Sequence, residues 1–295
     1  LLEQEQGVRI EVIVVDNGSS DGAADMVACD FPQVRLLRNH RNAGFARANN
    51  QAVGVARGEY VFFLNNDTVV PADTLAKLTA YLKAHPEAVM VAPRLRDGDG
   101  KLQISHRQRP TIATFLHRTL CLRWTGLFRR NYQAYRRESV DSETAQPADV
   151  LMGAALMVRR EEFLRMGAWD EDFAFGGEDM ELCHRANQHG QVVYLPSVSI
   201  THYGRASTRC NISYASPRIA AGFVQYFRKT GATRAALLAY KLAVTLDAPL
   251  QIIVKGGQYL ARRLRGRRRQ AERSLTVVRE AAAFLRRGLW RFWRS

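Results

Sequence analysis

Glu11-Val-Ile-Val-Val-Asp-Asn-Gly-Ser-Ser-Asp-Gly22 joins a β-branched run to a polar turn that holds two glycines. The run is too short for a helix and its residues favour an extended, covered strand. The segments that follow repeat the device. Gly22–Cys29 predicts a helix, Val34-Arg-Leu-Leu37 a strand and Phe45–Arg57 a helix. Tyr60-Val-Phe-Phe-Leu64 then reads as a strand, Ala72–Ala84 as a helix stopped by His85-Pro86, and Ala88-Val-Met-Val91 as another strand. Apolar runs of four or five residues separated by helix-length segments imply strands covered on both faces, hence βαβ units and an α/β fold. In such sheets ligands sit beyond the carboxyl ends of the strands. The polar clusters at those ends are Asp16–Gly22 and Asn65-Asn66-Asp67-Thr68.

After Pro93 the pattern loosens into a basic, mobile region up to about Gln146, in which 101–137 contains nine Lys and Arg and no acid. Regular structure resumes with a strand-like run over Asp149–Val158, a helix over Arg160–Met166, and an acidic segment at Trp169–Phe173. Gly176-Gly-Glu-Asp-Met-Glu181 opens another helix, Val192-Val-Tyr-Leu195 is a last strand, and helices are expected from Pro217 onward.

The whole chain has 295 residues, is 46% hydrophobic and 24% charged, and carries a formal charge of +15. That composition is globular and excludes a disordered tail, a disulfide miniprotein and a fibrous repeat. Its four cysteines are scattered singly, which argues against a zinc knuckle or a disulfide framework and fits a reducing compartment. The most apolar stretch, 236–254, is interrupted by Lys241, Asp247 and Pro249, so no bilayer-spanning segment is expected. Lys255–Ser295 holds thirteen basic residues against Glu272 and Glu280. Within it Leu275, Val278, Ala282, Leu285, Leu289 and Phe292 form one apolar stripe at helical spacing. Such a basic, amphipathic segment seeks anionic surfaces, whether phospholipid headgroups, lipid-linked diphosphates or nucleic acid.

Several residues carry candidate chemistry. Asp67, at a strand mouth, suits a Mg²⁺ or Mn²⁺ ligand, while Asn-Asn-Asp is equally ordinary turn chemistry. Asp16 is placed to accept from a nucleobase or ribose, with Ser19, Ser20 or Asp21 available as a helix cap. Asn42 and Gly44 lie in a loop-to-helix segment of the kind that approaches a nucleotide or anion, or simply turns the chain. Glu178-Asp179 at a helix start reads either as compensation of the helix dipole or as a general base. His202 is an isolated imidazole just after a strand, structural unless a metal engages it.

The order VDNGSSDG, NAGFARANN, LNNDT, MGAALMVRREEF, WDEDFAFGGEDMELCHRA and THYG resembles the family 2 glycosyltransferases of the GT-A fold, over about residues 8–230. Within them it is most similar to the rhamnosyltransferase-type branch that builds bacterial polysaccharides and cell-wall linkers. The resemblance implies a Rossmann-like mixed sheet with helices on both faces, as a glycosyltransferase domain over 1–230 with a helical, basic extension over 231–295. It implies that Asp16 contacts the nucleoside and that Asn42, Gly44, Asn65 and Asn66 line the donor. Asp67 and His202 become the metal ligands, Asp179 the catalytic base, and Glu178 and Trp169 acceptor contacts. The implied reaction is inverting and Mg²⁺- or Mn²⁺-dependent, with L-rhamnose from dTDP-rhamnose as the first expectation and a UDP-linked hexose or galactofuranose as the alternative. The implied acceptor is a glycan or a polyprenyl-diphosphate-linked glycan, met at the cytoplasmic face of the membrane with 255–295 on its anionic surface. The readings of another class are a nucleic-acid-binding protein, which the basic run Arg267-Arg-Arg269 would fit, and a catalytically inactive basic scaffold. Nucleic acid is not an expected partner, since no recognised nucleic-acid motif is present. Members of the family begin with a strand ending in a Thr-Tyr-Asn-like sequence followed by a helix, whereas Leu1-Leu2-Glu3 resembles the end of that helix, so that first strand is expected to be missing.

Overall fold

The computed structural model describes residues 8–136, 143–204 and 212–295, with side chains described from 218 onward in the last of these segments. The expected helix end at Leu1–Glu3 lies outside them. The chain divides into two compact units. The first comprises 1–108, 139–174 and 178–204; the second comprises 109–138, 175–177 and 205–295. Residues 212–230 fall in the second unit.

The first unit is built on strands β1 (Ile13–Asp16), β2 (Arg35–Arg38), β3 (Tyr60–Leu64), β4 (Thr68–Val69), β5 (Ala88–Arg96), β6 (Leu102–Gln103) and β7 (His106–Arg107). It continues with β8 (Gln146–Pro147), β9 (Val150–Leu151), β10 (Ala155–Arg159) and β11 (Gln191–His202). Its helices are α1 (Ala23–Asp30), α2 (Phe45–Val55) and α3 (Thr74–Ala84), then, after three helices of the second unit, α7 (Arg160–Arg165) and α8 (Glu178–His189). The central sheet has the order β3-β10-β5-β11-β4, with β6 added to β5 and β8 to β11. It is mixed. β5 and β11 run parallel, whereas β10 lies antiparallel between β3 and β5. β1 and β2 form a parallel pair of their own.

The period of two in the strands sorts their side chains between two cores. Leu156 and Val158 of β10, with Val192 and Tyr194 of β11, join Ala46 and Val53 of α2 and Leu182 of α8. Met157, Val193 and Leu195 face the other way, onto Leu75, Leu78 and Leu82 of α3. Helices therefore cover both faces, as the apolar runs predicted. The loose region expected over 94–146 is not loose at its start: β5 extends to Arg96, and Leu102–Arg107 adds two short strands.

The second unit is helical: α4 (Ile112–Leu116), α5 (Leu120–Thr125), α6 (Arg129–Arg136), α9 (Ile212–Lys229), α10 (Arg234–Leu264), α11 (Arg268–Ala283), a π-helical turn (Phe284–Gly288) and α12 (Leu289–Arg294). Phe115 of α4 packs on Phe223 and Phe227 of α9, and Phe227, Tyr240 and Phe292 continue the aromatic chain. Sequence breakers do not interrupt α10: it runs through Lys241, Asp247 and Pro249, and is long and apolar enough, by length and composition, to cross a membrane. The apolar stripe of 275–292 is spent largely on packing, with Phe292 buried and Leu275, Val278, Ala282, Leu285 and Leu289 half-buried. Charge is segregated between the units. The second has 27 Lys and Arg against four Asp and Glu, while the first has 16 against 24.

Candidate active site

Asp67 stands in the turn between β3 and β4. The two residues of β4 pair with the end of β11, so that Thr68 lies opposite His202, and the Tyr203 amide donates to the Asp67 carbonyl at 2.9 Å. This register brings His202 Nε2 to 3.2 Å from Asp67 Oδ1. His202 is buried, and its Nε2 makes no hydrogen bond among the described residues. Gln103 holds the other side: its Nε2 donates to the His202 carbonyl at 2.6 Å and its Oε1 lies 2.9 Å from His202 Nδ1. A carbonyl only accepts, so the amide NH2 must face it, and the remaining amide oxygen makes Nδ1 the protonated ring nitrogen. The lone pair of Nε2 then points at a carboxylate, an arrangement favourable only with a proton or a cation between them. Asp67 and His202 thus fit a divalent cation. Among the described residues no cluster of three or more His, Cys, Asp or Glu side chains accompanies them. A pair of protein ligands suits Mg²⁺ or Mn²⁺ that completes its shell with phosphate oxygens and water.

Asp179 occupies the first turn of α8, and Gly153 sits directly against it. A Cβ placed on Gly153 would lie 3.6 Å from both Asp179 Cβ and Trp169 Cη2. Desolvation pushes the Asp179 carboxyl above the usual carboxylate range, opposed by hydrogen bonds from the Met180 and Gly153 amides and by the charge of Arg107. The Met180 amide donates to Asp179 Oδ1 at 2.8 Å. A raised pKa strengthens the group as a base, and the arginine keeps it ionisable. Next to Gly153, the Ala154 carbonyl accepts from the Asn65 amide at 2.9 Å. The strand-end turn that carries Asn65, Asn66 and Asp67 is thereby tied within one residue of the glycine that supports Asp179. Glu178 is buried beside it.

Asp16 ends β1. The hydroxyl and amide of Ser19 hold its carboxyl below the usual range, so it stays an acceptor-only group at neutral pH. Asn17 organises the neighbouring loop: its Oδ1 accepts from Asn39 Nδ2 and the Ala43 amide, and its Nδ2 donates to Asn42 Oδ1 and the Gly44 carbonyl. Asn42 Oδ1 also accepts from the Gly44 amide at 2.9 Å. Gly44 precedes α2 at φ +90°, a left-handed backbone conformation that a side chain would strain. Asp16, Asn42 and Gly44 are therefore brought to one loop cluster.

Trp169 is 1% exposed and packs edge-on against Phe45 and Phe63. A side chain so buried has no surface for an acceptor, and its contact with the Gly153 position makes it the floor beneath Asp179. Asn50 clamps its backbone, donating to the Trp169 carbonyl at 2.8 Å and accepting from its amide at 3.0 Å. Arg185 of α8 pairs bidentately with Glu181 and donates to the carbonyls of Met166 and Ala168. That holds the Gly167-Ala168 turn, both residues at positive φ, which delivers Trp169.

Sequence reasoning missed the segment Gln103–Arg107. Gln103 orients His202, the Ser105 carbonyl accepts from the Met152 amide at 2.7 Å, and the Arg107 charge bears on Asp179. One short extended segment thus serves both the candidate metal pair and the candidate base. Its trace in the sequence is the short apolar–polar alternation of Leu102-Gln-Ile-Ser105.

The sequence profile of the family described as Glycosyl transferase family 2 matches residues 1–144. An N-acetylglucosaminyl-diphospho-decaprenol L-rhamnosyltransferase of Mycobacterium tuberculosis (strain ATCC 25618 / H37Rv) is 31% identical over 214 residues, 68% of this chain and 68% of that protein. Rhamnosyltransferase WbbL of Escherichia coli (strain K12) is 26% identical over 181 residues, 58% of this chain and 65% of that protein. Among solved structures, GalNAc-T7 with UDP, GalNAc and Mn2+ aligns with a TM-score of 0.52 at 16% identity, over 74% of this chain and 41% of that one, a likeness of fold. With the strand-end carboxylates, the mixed sheet and these relatives in agreement, the chain belongs to glycosyltransferase family 2, as an enzyme of its rhamnosyltransferase-like branch.

Proposed function

We propose that the chain transfers L-rhamnose from dTDP-rhamnose, with inversion, to a glycan carried on a polyprenyl diphosphate. The observation that carries the chemistry is the Asp179 carboxyl at the start of α8, packed against Gly153 and raised by desolvation. The sugar and acceptor class follow the mycobacterial relative, an N-acetylglucosaminyl-diphospho-decaprenol L-rhamnosyltransferase.

Asp179 accepts the proton of the acceptor hydroxyl as that oxygen forms its bond to the anomeric carbon. The bond from that carbon to the diphosphate oxygen breaks on the opposite face, and the electron pair leaves with the nucleoside diphosphate. No covalent enzyme intermediate is formed. Glu178 lies on the acceptor side of this base. Asp16, Asn42, Gly44, Asn65 and Asn66 bind and orient the nucleoside and ribose. Asp67 and His202 would hold Mg²⁺ or Mn²⁺, whose chemistry when bound is to neutralise charge on the departing diphosphate. The reaction is placed at the cytoplasmic face of the membrane, where the basic residues of 255–295 meet anionic headgroups.

The test is nucleoside diphosphate release from a panel of dTDP- and UDP-sugars with a lipid-linked acceptor, with Mg²⁺, Mn²⁺ or a chelator, wild type beside Asp179→Asn. Release from dTDP-rhamnose that needs the cation and collapses in the variant is expected. Turnover confined to a UDP-sugar would move the donor assignment to a hexose or galactofuranose. Undiminished release by Asp179→Asn would overturn the assignment of the base.

A further inference from the structure

The apolar stripe that the sequence offers to a membrane, 275–292, is largely packed inside the second unit. A different one is exposed. On α10, Leu238, Leu242, Leu246, Ile253, Leu260 and Leu264 are between 46% and 89% exposed. At 100° per residue these six fall within an arc of about 80°, and the helix carries them along about 39 Å. The positions between them on that arc are Pro249 and Gly256, so no charge lies within it. Charged and polar groups of α10 are turned elsewhere. Asp247 is buried and accepts from the Leu120 amide at 2.6 Å and from Gln251. Lys241 Nζ donates to the Trp293 carbonyl at 3.0 Å, and Arg262 donates to Ser274 Oγ at 2.7 Å. One side of this helix is therefore fastened to its own unit and the other is a continuous hydrocarbon surface.

We infer that this face of α10 docks in the plane of an anionic lipid bilayer. The charge of the unit identifies the occupant: 27 Lys and Arg against four Asp and Glu would set two copies of this surface against each other with strong repulsion, whereas anionic headgroups complement it. The same sidedness selects lying in the interface over crossing it. A spanning helix is apolar all round, while α10 has a buried carboxylate and a bonded lysine on the side away from the stripe. The inference deepens the membrane part of the proposed function, rests on that part alone, and is independent of its chemistry.

The test uses the full chain and sedimentation with vesicles, either of phosphatidylcholine alone or of equal parts phosphatidylglycerol and phosphatidylcholine. Wild type is expected to bind the anionic vesicles, to retain part of that binding in high salt, and to be released by alkaline carbonate. The triple variant Leu242→Gln, Leu246→Gln, Ile253→Gln removes three exposed apolar side chains and is expected to bind at least about thirtyfold more weakly. A second variant, Leu246→Trp, keeps the face apolar, and its added fluorescence is expected to be quenched by lipids brominated on their acyl chains. Unchanged binding by the triple variant, with no quenching of the new tryptophan, overturns the role of α10 while leaving attraction through the basic residues intact. No binding by wild type overturns both the docking face and the membrane part of the proposed function. A wild-type dimer dissolved by the triple variant reassigns the face to a second copy, and resistance to carbonate reassigns it to a spanning helix. Nucleoside diphosphate release with a water-soluble acceptor, measured on the same variants, is expected to stay at the wild-type level and reports the catalytic reading separately.

Discussion

Gln103 Oε1 lies 2.9 Å from His202 Nδ1 while the same amide donates to the His202 carbonyl, so one side chain fixes both the position and the tautomer of the imidazole. The nitrogen facing Asp67 is thereby the one left to engage a cation. Gln103→Leu is expected to weaken Mn²⁺ binding by about 10- to 100-fold, the usual effect of removing a partner behind a ligating histidine. Titration calorimetry or the paramagnetic resonance of bound Mn²⁺, in the presence of nucleoside diphosphate, checks this without a turnover assay.

Burial raises the Asp179 carboxyl in the folded protein, and Arg107 opposes the rise. The base works ionised, so the rate is expected to climb with pH through that elevated pKa, and Arg107→Met is expected to displace the acidic limb to higher pH. Asp179→Asn should lower kcat by about 10²- to 10⁴-fold with the donor KM little changed. A pH–rate profile of the two variants beside wild type separates the effects.

The same carboxyl has a stability consequence. Its folded pKa lies above the unfolded one, so as pH rises the unfolded chain loses this proton first and stability falls across the interval between the two values. Asp179→Asn is therefore expected to raise Tm at neutral pH, by about 2–4 °C for each kcal/mol relieved, and to raise it less in acid. Thermal denaturation at two pH values shows it.

Asn17 makes four of the hydrogen bonds that shape the loop of Asn42 and Gly44. Asn17→Ala is expected to cost about 1–3 kcal/mol of stability and to raise the donor KM more than it changes kcat. Denaturant unfolding and steady-state kinetics with varied donor test both parts.

Trp169 Nε1 has no hydrogen-bond partner among the described residues, and the ring serves as packing beneath Gly153 and Asp179. Trp169→Phe is expected to leave the acceptor KM unchanged and to cost under about 1.5 kcal/mol, whereas Trp169→Ala should cost about 3–5 kcal/mol. A large rise in the acceptor KM for the phenylalanine variant would restore the direct acceptor contact.

Much of the first unit was legible. β3 has the bounds read from its apolar run, and β1, β2, α1, α2 and α3 lie within two residues of their expected limits. These elements are coded locally, by apolar period and by the turns that end them. The strand over Val192–Leu195 grew to twelve residues because β5 and β4 supply pairing along its length. Helices α4–α6 and the continuity of α10 were not legible, because short helices and a proline-containing one are stabilised by their packing partners. Phe115 against α9 and Asp247 against Leu120 are such contacts, made far along the chain.

The sequence by itself determined the α/β class, the family, the strand-end positions of Asp16, Asp67 and His202 and the helix-start position of Asp179, since each is marked by short-range pattern and residue chemistry. Only the tertiary structure decided that Gln103 stands behind His202, that the Arg107 charge bears on Asp179, that Trp169 is buried against the Gly153 position, and that the exposed apolar face belongs to α10. Those relationships depend on pairings between residues tens of positions apart, and the free energy that selects them arises only when the packed neighbours are in place.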